Sequence, residues 1–160
     1  MVDVRLSPVR LDEKAALRAD LDAYLIVHAD LVDPARRHGE PTHQPYYDAY
    51  WSEEGRRPFW ILANGARAGF VLINRHAPSG LACDAAVAEF CVLPAFRRMG
   101  LGRAAAHRAF ALAVGQWELQ VHRANPVGMA FWARAIATAP VAGATEIPLE
   151  DRVIHRFRTA

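Results

Sequence analysis

Residues 87–102 constrain the fold more than any other stretch of this 160-residue chain. Val87 to Leu93 is a strand-like run that stops at Pro94. Arg97-Arg98-Met99-Gly100-Leu101-Gly102 then leads into a helix-forming segment, Gly100 to Val114. A strand that passes through a short connector into a helix is a building unit of an α/β fold. Glycines at such a junction remove the Cβ atoms that would keep an anion away from the backbone. The helix start adds unpaired N–H groups and the positive end of the helix dipole. Arg97, Arg98 and Arg103 place full positive charge on both sides. Together they point to phosphate. The plainer reading, in which the glycines permit a tight turn and close helix packing, stands beside it.

Gly100-Leu101-Gly102-Arg103-Ala104-Ala105 also fits the G-x-G-x-x-A dinucleotide fingerprint. Three features oppose that reading. Pro94 to Met99 separate the strand from the first glycine, where the fingerprint joins them directly. The acid at about the right distance, Glu118, falls near the start of the next strand instead of its end. Only 58 residues follow Gly102, too few to complete a doubly wound sheet.

The rest of the chain reads as one domain over residues 1–160, with no repeat, low-complexity tract or linker. Val2 to Leu6 alternates as a half-buried strand does. Leu17, Leu21, Tyr24, Leu25 and His28 recur at helical spacing in a segment that starts near Asp12. Pro34 to Pro45 reads as an irregular loop, followed by a short helix over His43 to Ser52. Pro58 to Ala63 and Ala68 to Ile73 are strands joined by Asn64-Gly65, a pair suited to a tight hairpin. Trp117 to Val121 is a further strand, Pro126 to Ala137 a second long helix with Pro126 in its first turn, and Val153 to Phe157 a last strand. The order is β-α-(α)-β-β-β-α-β-α-β, a mixed α/β sheet.

On these residues the chain resembles the GNAT superfamily of N-acetyltransferases. That family's signature is Arg or Gln, two residues, Gly, one residue, then Gly or Ala, and Arg97 to Gly102 matches it. Glu89-Phe90-Cys91-Val92-Leu93-Pro94 is similar to the family's fourth strand. Asn125 to Trp132 is similar to its fourth helix, and the likeness spans roughly Pro58 to Ile136. The resemblance implies an α/β (α+β) fold with a mostly antiparallel sheet, splayed between strands 4 and 5, and helices on both faces. It implies acetyl-CoA as cofactor. The pyrophosphate would rest on the backbone of Arg97, Arg98, Met99, Gly100, Leu101, Gly102 and Arg103, and the pantetheine arm would pair with Phe90, Cys91 and Val92. The resemblance also has Asn125 hydrogen-bonding that arm and Trp132 lining its tunnel.

Acyl transfer to an amine requires a group that takes a proton, because an alkylamine with a pKa of about 10.4 is mostly protonated at neutral pH. Glu89, an acid inside an apolar strand, is the candidate base, since burial raises a carboxyl pKa. By strand alternation Val87 and Cys91 share its face. A surface-facing or arginine-paired glutamate is the competing reading. Trp132 stands where the family usually carries a tyrosine, and an indole N–H does not titrate. Tyr24, Tyr46, Tyr47 and His122 are other donors whose positions the sequence does not give. Trp132 as a core aromatic and Asn125 as a helix N-cap before Pro126 are the structural alternatives.

The function expected is an acetyl-CoA-dependent N-acetyltransferase acting on a primary amine of a small molecule or peptide by direct attack. The alternative is a non-catalytic acyl-CoA-binding or sensing domain. A formal charge of +2, with arginines scattered along the chain and Lys14 the single lysine, argues against nucleic acid as a partner. No apolar run is long enough to span a bilayer, and no signal-peptide layout opens the chain, so cytoplasmic residence is expected. The histidines show no metal-ligand spacing. Cys83 and Cys91 read as reduced packing residues. A homodimer is common among the proteins it resembles. The loop Pro34 to Pro45 and the helix after it are expected to border the acceptor groove, with no preference of charge.

Overall fold

A computed structural model describes all residues 1–160. Its frame grows from the hairpin of β2 (Arg57–Ala63) and β3 (Ala66–Asn74). Asn64 (φ 50°) and Gly65 (φ 82°) both take the positive φ that a two-residue turn of matching twist needs. β1 (Val4–Pro8) pairs with β2, and β4 (Ala85–Val92) with β3, all antiparallel. β5 (Gly115–His122), β6 (Val141–Pro148) and β7 (Arg152–Thr159) complete one seven-stranded sheet in the order β1-β2-β3-β4-β5-β7-β6.

The one parallel neighbour pair is β4–β5, and it is short. Only Ala85, Ala86 and Val87 are in register with Trp117, Glu118 and Leu119. Past that point β4 has no partner on its β5 side, so residues 88–92 border a gap.

Helix α1 (Lys14–Val32) covers one face of the sheet. Its buried Leu17, Leu21 and Leu25, spaced at i, i+4 and i+8, pack with Trp60, Phe70, Leu72 and Cys91. Each such leucine contributes roughly 1.5–3 kcal/mol. Helices α2 (Leu101–Phe110) and α3 (Pro126–Ala137) cover the other face. Buried Ala105, Ala106 and Ala109 bring α2 close to the strands. At the centre, Phe110 meets Trp117 and Phe157 at ring-centroid distances of 5.7 and 4.6 Å.

Four elements differ from the sequence expectation. α2 ends at Phe110 and does not run on to Val114. The Ala113 carbonyl instead accepts from Trp117 Nε1 (3.1 Å) and Thr159 Oγ1 (2.7 Å). The helix expected over His43 to Ser52 is a single 3₁₀ turn, Asp48–Trp51. There Tyr47 and Tyr50 are drawn under α1, and Trp51 Nε1 donates to the Val9 carbonyl at 3.0 Å. β6 has no counterpart among the expected strands. Its Gly143 and exposed Ala142 and Ala144 carry no alternation, and it is an edge strand defined by its pairing with β7.

The fourth difference bears on function. Leu72 pairs with Glu89 but Ile73 with Val87, so Ala88 is an extra residue, a β-bulge. The bulge puts Val87 on the α2/α3 face and Glu89 with Cys91 on the α1 face. Simple alternation places all three together.

Candidate active site

A cleft of about 830 Å³ opens beside the parted edge of β4. It is lined by Phe90, Cys91 and Val92 of β4, by Arg97, Arg98, Gly100, Leu101, Gly102 and Arg103, and by Asn125 and Trp132. Of the residues expected to hold a cofactor, Met99 alone lies outside the lining, with its side chain in solvent. Leu101 turns its side chain into the core and offers the cleft its backbone. Four further lining residues come from α1, namely Tyr24, Val27, His28 and Leu31. Val27 and Leu31 are exposed apolar side chains one helical turn apart, beyond the buried leucine stripe. That spacing is the available signal for a second, cleft-facing stripe on α1.

The mouth of α2 is prepared for an anion. No side chain caps its first N–H groups, because its N-cap is Gly100. Gly100 has φ +75°, a conformation that favours glycine, and open space where a Cβ would stand. Gly102 answers a different need. A Cβ there would lie 2.9 Å from Phe131 Cε2, so this glycine lets α3 approach α2. One glycine thus fits the turn reading and the other the packing reading, and both leave the backbone bare toward the cleft. Arg97, Arg98, Arg103 and Arg134 line the site without a carboxylate partner. Arg97 Nε donates to the Val92 carbonyl at 2.9 Å, which holds its guanidinium at the end of β4.

Asn125 caps α3 by accepting a hydrogen bond from Gly128 N at 2.9 Å, and it still faces the cleft. Trp132 is buried against Phe90 and Phe131, at centroid distances of 5.0 and 4.8 Å. It is therefore a core aromatic with one edge on the cavity.

A second cavity of about 240 Å³ lies between the parted strands β4 and β5, reaches α1 on one side and Trp132 of α3 on the other, and contains Glu89. Gln120 and His122 of β5 and Arg152 of β7 form its far wall. Tyr24, His28, Phe90 and Trp132 line both cavities, so the two meet at these four side chains. Burial raises the Glu89 pKa to about 7, with hydrogen bonding to the Tyr24 hydroxyl pulling the other way. No arginine reaches Glu89, which removes the ion-paired reading. Burial, reinforced by His122, keeps His28 below the ordinary histidine range. His122 Nδ1 accepts from Ala124 N at 3.1 Å. Arg152 is held by Asp151 through two hydrogen bonds of 2.9 and 3.0 Å.

No residue of 34–52, the segment expected to border the acceptor groove, lines either cavity. Among the other donors left open by the sequence, Tyr47 is committed to the Lys14 carbonyl and Tyr46 is on the surface. Both cysteines are free thiols; Cys91 packs in the core, whereas Cys83 is half-buried outside it. No group of side chains is arranged to hold a metal ion, and no helix is long and apolar enough to cross a membrane.

A mixed sheet parted between two parallel strands, with an uncapped, arginine-flanked helix mouth at the gap, is the architecture of an acyltransferase fold. The profile of the acetyltransferase (GNAT) family matches residues 24–136, and the chain belongs to that family. Solved structures agree on the fold. An acetyltransferase from Thermus thermophilus superposes with a TM-score of 0.69 at 17% identity, covering 98% of this chain and 97% of that one. Spermidine N-acetyltransferase from Vibrio cholerae, in complex with CoA and spermine, gives 0.61 at 14% identity over 98% and 94%. The ribosomal-protein-S18-alanine N-acetyltransferase from Escherichia coli gives 0.57 at 18% identity over 96% and 92%. No curated protein matches the sequence.

Proposed function

We propose that residues 1–160 act as one acetyl-CoA-dependent N-acetyltransferase domain, which moves an acetyl group to a primary amine of a small molecule or peptide by direct attack. The observation that carries this reading is the meeting of two cavities at the parted edge of β4. One has the chemistry of a nucleotide diphosphate site and the other holds a carboxylate with a pKa of about 7.

Acetyl-CoA, the acyl-donating substrate, supplies an activated thioester. Uncapped amides at the start of α2 and the guanidinium groups of Arg97, Arg98 and Arg103 suit its diphosphate. The β5-facing edge of Phe90, Cys91 and Val92, which has no strand partner and where only the Val92 carbonyl is taken, by Arg97, suits an amide-bearing arm that adds like a strand. Exposed Val27 and Leu31 would gain apolar cover from that arm. The amine enters from the smaller cavity, and Glu89 takes its proton. A base with a pKa of about 7 is ionised often enough to act and basic enough to be useful.

Crystal complexes of related folds support an amine acceptor, since one of them holds CoA and spermine together. Trp132, which cannot titrate, favours a second reading in which the domain binds acyl-CoA without turning it over. One assay separates the two. Thiol release is followed with acetyl-CoA and a panel of amines and N-terminal peptides, for the wild type and for Glu89→Gln. The enzyme reading expects amine-dependent release that falls about 100-fold or more in the variant, while acetyl-CoA affinity holds. Binding without amine-dependent release would establish the sensor.

A further inference from the structure

We infer that Tyr24 of α1 is a catalytic residue, the donor that protonates the departing CoA thiolate, and that Glu89 restores its proton. The inference rests on the acetyltransferase reading above and assigns a part of the reaction that reading left without a residue.

Position selects the residue. The leaving sulfur must sit where the donor's cleft meets the acceptor's cavity, and only Tyr24, His28, Phe90 and Trp132 line both. Phe90 has no side-chain proton to give, and the Trp132 N–H does not titrate. His28 is kept neutral by burial and by His122, so it carries no surplus proton at neutral pH. Tyr24 remains. Its ring is fixed edge-on to Phe70 at 5.8 Å and lies 6.0 Å from the His28 ring. Tyr24 and Glu89 share the wall of the smaller cavity, and Glu89 and Cys91 are both close enough to the hydroxyl to raise its pKa.

This environment both fits and limits the role. Burial, with Glu89 and Cys91 nearby, pushes the Tyr24 pKa upward, so the hydroxyl stays protonated and available. A phenol that basic does not release a proton to a thiolate unaided. The contact with Glu89 removes the difficulty. As the amine nitrogen bonds to the acetyl carbon and the carbon–sulfur bond breaks, Glu89 takes one N–H proton. Tyr24 passes its O–H proton to sulfur and recovers one from the Glu89 carboxyl. The amine proton ends on the thiol, and both side chains return to their starting states.

Tyr24→Phe keeps the ring packing and removes the hydroxyl, so its readouts isolate the proton. The acetyl-CoA Kd, measured by calorimetry, should be unchanged. The kcat with acetyl-CoA should fall about 100-fold. With an aryl thioester of acetate as donor, whose more acidic thiol leaves without a proton, the deficit should shrink to about threefold or less. In the CoA complex without acceptor, ultraviolet titration of the bound thiolate should show a thiol pKa raised by about one unit in the variant, because a hydrogen bond to the anion is lost. A kcat within twofold of wild type would overturn the inference. So would the same deficit with both donors together with an unmoved thiol pKa, which is the pattern of a structural role. A wild type that releases no thiol with any amine removes the parent reading as well and is recognised by that alone.

Discussion

Glu89 owes its place on the α1 face to the extra residue at Ala88, and in that place its carboxylate loses water without gaining a cation. The raised pKa has a consequence for stability as well as for activity. The folded state holds the Glu89 proton up to about pH 7, whereas the unfolded chain releases it near the ordinary 4.5. The folded state therefore binds more protons between those values, and stability contributed by this group falls as pH rises through them. Glu89→Gln has no such term. Denaturant unfolding at pH 5 and pH 8 should show the variant gaining on the wild type by an amount on the order of 2 kcal/mol. A gap that does not move between the two pH values would place Glu89 in water. The base role proposed for Glu89 gives activity the opposite slope, because a base acts when ionised, so kcat/KM should rise through an apparent pKa near 7 that the variant lacks.

Among the elements, the junction of α2 with α3 sets how close the cleft's two helical walls stand, and Gly102 controls it. Its missing Cβ is replaced in space by Phe131, which stacks on Phe90 at a centroid distance of 5.6 Å. Gly102→Ala should cost about 1–3 kcal/mol from overpacking, partly offset by about 1 kcal/mol of helix propensity. Phe131→Ala in the same chain should relieve the overpacking part. The double-mutant cycle should then show a coupling of about 1 kcal/mol, while additivity within about 0.4 kcal/mol would mean that the two side chains do not compete. This division of labour is the kind of detail that the sequence hides. The G-x-G pattern and its arginines located the helix mouth, and Asn125-Pro126 located the start of α3 within a residue, because caps and glycines act locally. The bulge at Ala88 and the edge strand β6 left no trace, because each is defined by a partner strand. Tyr24 and His28 could be assigned to a helix by spacing, yet their meeting with Glu89 depends on how α1 crosses β4, a tertiary fact with no local code.

At the scale of the whole molecule, the sheet is two half-sheets, β1 to β4 and β5 to β7, joined by only three residue pairs. The gap that forms the site is thus also the weakest seam. What reinforces it is the segment between β3 and β4, which reaches across to β5 and β7. Ser79 donates to the fully buried Glu118 through N (3.1 Å) and Oγ (2.7 Å). Arg156 pairs with the same carboxylate and donates to the Ala82 carbonyl at 2.8 Å. Asp84 adds two bonds to Gln116, at 2.7 and 2.8 Å. Glu118 is the hub, so its removal strands a guanidinium and frees the clamp together. Glu118→Ala should lose about 3–5 kcal/mol in urea unfolding, the cost of breaking a buried pair on one side. Glu118→Gln, which keeps one acceptor oxygen for Ser79 N, should lose less. If the clamp also sets the width of the gap, CoA should rescue the alanine variant poorly. A ligand at 100 times its Kd stabilises a competent fold by about 2.7 kcal/mol. At that same CoA concentration the Glu118→Ala increment should fall well below this, because its own Kd has risen. An alanine variant that keeps the full CoA-induced rise in Tm would show that the seam holds its shape without the clamp, and that the three residue pairs of β4 and β5 alone position the site.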